Sequence, residues 1–320
     1  EFCSDDLEFE PGSKYSYCNS GYNILGAVIE EVTGKPYEVV LRERIFEPLG
    51  MENSGIDDNE PVIEKRASGY NKGIIDYENT NYLDMSLVYA AGAMYSTVED
   101  LFLWNQALYT DKLLSENNKE IMFTPFLQNY AYGWGVSELP IGDENKKVIR
   151  HSGGINGFNT VIIRLVDDKH LIVLLNNFTP CNLNKISKGI ADILYGEEYE
   201  VPKRSLAEKL SKTVMLEGVS EGIKQLKELK EKQENEYYVD ENEINNFGYY
   251  LLEKDRVDDA IEVFKLNVEL FPDAFNPYDS LGEAYMIKGE KELAIKNYEK
   301  SVELNPGNTN GIRMLKKLKE

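Results

Sequence analysis

Histidine is nearly absent from this chain: His151 and His170 are the only two in 320 residues. Metal centres that need two or three imidazoles are therefore not expected, and neither a metal nor a cofactor is predicted. Cysteine is also scarce. Cys3, Cys18 and Cys181 have no C-x-x-C spacing, which argues against a zinc site and a disulfide framework. Long apolar runs are missing. The best stretch, Val161 to Phe178, is broken by Arg164 and by Asp167-Asp168-Lys169-His170, so no transmembrane helix is expected. Positive charge is in deficit, with 35 Lys+Arg against 56 Asp+Glu and a net charge of −21. Such a surface repels phosphate backbones and anionic lipid, which excludes nucleic acid as a partner. There is no initiator Met and no charged-then-apolar leader, so the chain reads as cut from something longer. The motifs G-x-S-x-G, G-x-x-x-x-G-K-[ST] and H-E-x-x-H are all absent.

The chain has 42% hydrophobic and 28% charged residues, values that fit folded domains rather than global disorder. Its length suits about two domains. Charge divides unevenly: residues 1–200 carry 16 Lys+Arg and 32 Asp+Glu, a net of −16, whereas residues 201–320 carry a net of −5. The charged segment Glu197 to Ser205, containing Pro202, is a candidate linker.

Along the first part, Leu7 to Gly12 reads as a short strand or loop ending in a Pro-Gly turn. Asn19 or Ser20 can cap a helix to Thr33, with apolar Ile24, Leu25, Val28, Ile29 and Val32 at helical spacing and Gly34 closing it. Ser96-Thr97-Val98-Glu99 has the capping-box pattern before a helix to Tyr109. Lys147 to Arg150 reads as a short strand. Thr160 to Val166 and Leu171 to Asn176 form a hairpin around an Asp-Asp-Lys turn, with His170 solvated there. Gly153-Gly154-x-x-Gly157 reads as a tight turn between strands, not a dinucleotide loop. Leu183 to Tyr195 returns to helical spacing, and everything after Ser205 reads helical.

The C-terminal part repeats itself. Gly248 and Gly282, Ala260 and Ala294, Phe264 and Tyr298, and Pro272 and Pro306 are each separated by 34 residues. Small residues sit where paired helices touch, the aromatic fills the next layer, and Pro ends the second helix. This pattern resembles the tetratricopeptide repeat. Asn310 to Leu318 is expected to cap the array, and the helices after Ser205 to complete the stack.

Two patches in the first part carry a second resemblance. One runs Tyr15-Ser16-Tyr17-Cys18-Asn19-Ser20-Gly21-Tyr22 and continues to Pro48-Leu49-Gly50-Met51; the other is His151-Ser152-Gly153-Gly154-Ile155-Asn156-Gly157-Phe158. With Ala91-Gly92-Ala93-Met94-Tyr95-Ser96-Thr97 between them, they are similar to the serine β-lactamase-like family, which includes class C β-lactamases, penicillin-binding proteins and esterases. The resemblance covers residues 1 to about 197. It implies catalytic roles for Tyr17, of the Tyr-x-Asn motif, and His151, of the His-x-Gly motif. It implies substrate contacts for Asn19, Ser152, Gly153 and Gly154, with the Gly154 N–H as half of an oxyanion hole. The family's third motif, Ser-x-x-Lys, is missing: no serine here has Lys three positions on. Tyrosine ionises near pH 10, so as a base it needs a nearby cation. The absent lysine is the family's main one, leaving His151. Cys18 is expected to be a packed small residue, and Trp104 and Trp134 core or pocket wall.

The expected fold is α+β: an incomplete β-lactamase/transpeptidase-like domain, an antiparallel sheet with helices, over residues 1–197. Linker and helices follow over 198–240, then two tetratricopeptide repeats and a capping helix over 241–320. The functional reading is a β-lactamase-related serine hydrolase acting on a β-lactam, D-alanyl peptide or ester, with a repeat domain for a protein or peptide partner. This chain alone is expected to be inactive. The alternative is a catalytically dead scaffold acting through its repeats.

Overall fold

The computed structural model describes residues 6–232 and 235–320. Cys3 lies outside the described residues. The chain divides into two compact units: Glu1–Lys72 with Glu78–Val201, and Gly73–Tyr77 with Pro202–Glu320.

The first unit is built on a four-stranded antiparallel sheet. Its strands β1 (Gly135–Ile141), β2 (Glu144–Ile155), β3 (Phe158–Leu165) and β4 (His170–Asn176) follow one another in space as in sequence. Short connections make this a meander: Gly142 (φ 56°) and Gly157 (φ 74°) supply left-handed backbone at two turns, and Lys169 (φ 56°) does so at the third. The turn read at Gly153 to Gly157 narrows to Asn156-Gly157 of the β2–β3 hairpin, with Gly153 and Gly154 paired inside β2. The strand expected over Lys147 to Arg150 is three times as long, because pairing on both flanks holds its polar start and part of its Gly-rich end. The outer edge of β4 has no strand partner among the described residues.

One face of the sheet is covered by the C-terminal helix of the unit, Leu183–Tyr195, with Leu183 and Ala191 buried against Val161, Ile163, Leu165 and Ile172. On the other face Trp104 and Trp134 stack at 5.5 Å beside Ile149. Helix α1 (Asn19–Thr33) ends at Gly34 in the left-handed conformation, as expected. Its apolar stripe does not become core. Ile24, Leu25, Val28 and Val32 are 48–79% exposed. The covered face is instead that of Asn23 and Gly26: the Asn23 Oδ1 accepts from Ala91 N at 2.9 Å, and Gly26 abuts Tyr89 and Ala90 so closely that no Cβ fits. Helix α2 (Val98–Ala107) is capped one residue later than the sequence suggests, by the Thr97 hydroxyl accepting from Asp100 N at 3.2 Å. Ser96 bonds Ser54 instead, at 2.7 Å.

The second unit is all helical apart from two-residue strands. α3 (Leu206–Glu217) and α4 (Val219–Lys232) precede α5 (Glu241–Glu253), α6 (Val257–Leu270), α7 (Phe275–Lys288), α8 (Lys291–Leu304) and α9 (Thr309–Lys319). One core joins Leu206, Leu210, Val214 and Leu226 of the leading pair to Ile244, Phe247, Phe264, Leu281 and Tyr298 of the repeats. The landmarks spaced 34 apart do what their sizes suggest. Gly248 lies under the Phe264 ring and Gly282 under the Tyr298 ring, in matching helix pairs. Ile74, from the loop grouped with this unit, accepts from the Ser211 hydroxyl at 2.8 Å.

Candidate functional site

Residues 13–18 approach α1 without regular structure. Cys18, extended at φ −142° and ψ 116°, is the N-cap in place of Asn19 or Ser20, with no side-chain capping bond. It is exposed rather than packed, because it stands at the helix entrance, and the backbone N–H groups of Gly21 and Ser20 draw its thiol below the ordinary range. This geometry sets Tyr17 beside the first turn of α1, its ring 5.5 Å from that of Tyr22. Asn19, at the first helical position, is exposed, and its side chain has no hydrogen-bond partner among the described residues.

His151 comes from β2, where the strand passes beyond its partner. β1 begins at Gly135 opposite Arg150, so His151, Ser152, Gly153, Gly154 and Ile155 pair with β3 on one side only. Their other edge is open backbone. Gly153 cannot carry a side chain without meeting the Thr160 hydroxyl of β3 at 2.5 Å, and Gly154 is open except for the Asn159 amide at 3.9 Å. Beyond them, the hairpin tip lines a cavity of about 420 Å³ with Asn71, Thr80, Asn81 and Thr179.

The rings of Tyr17 and His151 lie 6.0 Å apart. Against both of them packs a residue the sequence reading missed. Tyr130 has its ring 6.3 Å from Tyr17 and 4.7 Å from Tyr15, and its hydroxyl reaches both His151 Nε2 at 2.9 Å and the Tyr22 hydroxyl at 2.7 Å. His151 Nδ1 lies 2.8 Å from the Ser152 carbonyl, which can only accept. In a neutral ring that fixes the tautomer: Nδ1 carries the proton, and Nε2 accepts from Tyr130, whose hydroxyl then accepts from Tyr22. The signal for Tyr130 was the aromatic and Gly-rich run Tyr130-Ala131-Tyr132-Gly133-Trp134-Gly135 just before a strand.

Among the described residues the cluster contains four phenols and one imidazole, with no lysine or arginine bonded to it. Burial, with the neighbouring phenols adding to it, pushes Tyr17 up; burial also raises Tyr15 and, far more strongly, Tyr130. A phenolate at neutral pH is thus disfavoured in this arrangement. His170, expected in the turn, instead opens β4 with its ring 5.4 Å from Tyr195 and its Nδ1 buried without a partner. Among the described residues no three metal-ligating side chains come together, and no helix is long and apolar enough to cross a membrane.

An open strand edge that starts at His-Ser-Gly, next to Tyr-x-Asn at a helix entrance, is the arrangement to set against known proteins. The beta-lactamase family model matches residues 2–193. This chain belongs to the beta-lactamase family. A tetratricopeptide-repeat model matches residues 276–308. A penicillin-binding protein of Bacillus subtilis is 30% identical over 227 residues, covering 64% of this chain and 49% of its own length. The human mitochondrial serine beta-lactamase-like protein LACTB is 29% identical, covering 58% and 40%. The teichoic acid D-alanine hydrolase of Staphylococcus aureus is 29% identical, covering 57% and 44%. The chain thus spans about half the length, or less, of the curated relatives it matches. Among solved structures, the D-amino acid amidase of Ochrobactrum anthropi, complexed with L-phenylalanine amide, superposes with a TM-score of 0.50 at 25% identity, covering 59% of this chain and 60% of that one. The beta-lactamase-family unit holds Tyr17, Tyr130 and His151 at one place, with Ser152, Gly153 and Gly154 following along the open edge.

Proposed function

We propose that the beta-lactamase-family unit is the tyrosine–histidine half of an acyl-serine hydrolase site, and that its substrates are carbonyl compounds of D-amino acids: D-alanyl esters or peptides, amides or β-lactams. The observation that carries this reading is the 6.0 Å approach of Tyr17 to His151 at the head of an unpaired strand edge. Two of the relatives are named for hydrolysis at a D-amino acid, which supports the substrate class.

In this reading an extended substrate lies along residues 151–155 and hydrogen-bonds their open backbone, with Ser152 and Asn19 holding its polar groups. The Gly154 N–H faces the carbonyl oxygen as charge develops; such a donor contributes about 3–4 kcal/mol to transition-state stabilisation. Tyr17 passes the nucleophile's proton. Its upward-pushed phenol requires an ammonium nearby before it can act as a base, and no Ser-x-x-Lys in this chain supplies either nucleophile or ammonium. The purified 320-residue chain is therefore expected to turn over neither nitrocefin nor p-nitrophenyl esters. Turnover that co-purifies with the chain and is lost on Tyr17→Phe refutes the missing-nucleophile part of this reading.

A second reading, an inert hydrolase-like scaffold, is favoured by one observation: the Tyr130 hydroxyl already occupies His151 Nε2. The coding sequence upstream of Glu1 separates the two. A Ser-x-x-Lys within about one hundred residues supports the hydrolase, and a start codon near Glu1 supports the scaffold. In both readings the repeats serve as a protein-interaction module, supported by the tetratricopeptide match.

A further inference from the structure

Past Gly154, the tip of the β2–β3 hairpin meets a second loop. Gly157 and Gly69 touch backbone to backbone: a Cβ on Gly157 would lie 2.6 Å from Gly69 C, and one on Gly69 would lie 2.6 Å from the Phe158 ring. The Asn156 amide donates to the Asn81 carbonyl at 3.2 Å, Thr80 N to the Gly69 carbonyl at 3.4 Å and Tyr70 N to the Asn177 carbonyl at 3.0 Å. Tyr70–Lys72 pairs in parallel with Phe178–Thr179, which sets Asn71 opposite Thr179. Four chain segments are thus tied around the cavity of about 420 Å³. That volume lies within the range of small-molecule sites, about 300–1,000 Å³, and the ties hold it open before any ligand arrives.

The lining is polar and uncharged. Four asparagines and two threonines contribute to it, and no acidic or basic side chain does. In a segment, residues 1–200, of net charge −16, such a hollow is a local exception. Asn81 and Asn156 are exposed, and Asn71, Thr80 and Thr179 half-buried, so a ligand can reach them. The Thr179 hydroxyl donates to Asn71 Oδ1 at 2.7 Å. The Asn71 Nδ2, the Thr80 hydroxyl and the Asn81 carboxamide have no partner among the described residues. Carboxamides and hydroxyls both donate and accept, which suits a ligand whose groups do the same, above all alcohol hydroxyls. An ion placed there would lose hydration and meet no countercharge. Ile155 and Phe158 add an apolar wall.

We propose that this cavity binds a neutral sugar ring, held by Asn71, Thr80, Asn81 and Asn156 and packed against Ile155 and Phe158. Gly154 belongs both to the cavity wall and to the open strand edge. The sugar is therefore the part of the substrate next to its reacting carbonyl. That last step rests on the hydrolase reading; the sugar site itself does not.

The test is titration of the whole ¹⁵N-labelled chain with four probes of similar size, read by amide NMR at about pH 6, where a primary amine is protonated. D-Glucose is neutral, D-glucosamine is a cation, D-glucuronate is an anion, and D-sorbitol is neutral without a ring. Glucose shifts the amides of residues 69–72, 80–81 and 153–159, and its two charged analogues bind about tenfold more weakly. Sorbitol binds more weakly than glucose, because its open chain must be ordered on binding. Thr80→Val weakens glucose about threefold. Asn81→Asp, at an exposed side chain with no bond in the fold, turns the preference to glucosamine and leaves the melting temperature unchanged. In the native chain, binding in the order glucosamine, glucose, glucuronate overturns the site, since attraction to an acidic protein alone gives that order. Sorbitol equal to glucose overturns the ring assignment, and glucose shifts that are absent or scattered overturn the cavity. These outcomes do not depend on the missing nucleophile. If glucose binds and a start codon lies near Glu1, the hydrolase reading fails and the sugar site stands.

Discussion

Arg164 interrupts an apolar run in the sequence, yet it is 1% exposed and, among the described residues, pairs with no carboxylate. Its Nε donates to Asn105 Oδ1 at 2.7 Å, and the guanidinium lies over the rings of Tyr109 and Phe123 at 4.8 and 4.9 Å. The quadrupoles of those rings replace part of the lost hydration. Burial still pulls its pKa down, and one terminal nitrogen has no partner. Asn105→Ala is therefore expected to destabilise the protein by about 3 kcal/mol in denaturant unfolding, and Arg164→Met by less, because the second removes the buried charge along with its partner. Tyr249 gives a pH-dependent prediction. Burial and the Glu283 and Asp279 carboxylates push its phenol up to about 12 from 10.0. The folded state thus holds this proton more tightly than the unfolded one. Its contribution to stability is complete below pH 10 and is lost as pH rises through about 12. A tyrosinate absorbance titration should show a class ionising late, with Tyr89 and Tyr195, both also near 12, in it. Tyr249→Phe should remove one phenol from that class.

Among the secondary elements, legibility followed the strength of the local signal. The period of 34 was readable because each repeat needs the same small residue under the same ring. Gly248→Ala drives a methyl into the Phe264 ring and is expected to cost about 1–3 kcal/mol; Gly282→Ala, whose methyl meets Tyr298 at 3.1 Å, should cost less. Thermal melts of the two variants check the order. Helix Leu183–Tyr195 was read to its ends because an amphipathic period runs between an Asn that caps and a Gly that closes it. β2 was read short because residues 144–146 and 151–155, polar or Gly-rich, carry little strand propensity of their own; register with β1 and β3 holds them. The covered face of α1 was not legible for a related reason. Helical spacing marks an apolar stripe, but what covers it is a tertiary fact, and the covered face here is the one with Gly26.

For the molecule as a whole, two apolar surfaces stand uncovered among the described residues: the stripe Ile24, Leu25, Val28 and Val32 of α1, and the edge of β4, with Leu175 40% exposed. Surfaces of this kind drive association. The isolated chain is expected to self-associate with rising concentration in light scattering, and Leu175→Lys should lower that tendency with little change in melting temperature. A monomer at every concentration would count against it.

Sequence by itself determined the families, the order of the motifs and the repeat period, because these depend on residue types at fixed spacing along one chain. It also named Tyr17 and His151, which stand 134 positions apart and touch only through the fold. Tertiary structure alone decided that Tyr130 packs against both, that the neutral His151 ring carries its proton on Nδ1, and that Asn245 keeps a buried acceptor without a partner. Hydrogen bonds and desolvation depend on what lies within a few ångströms in space, and no spacing along the chain records that.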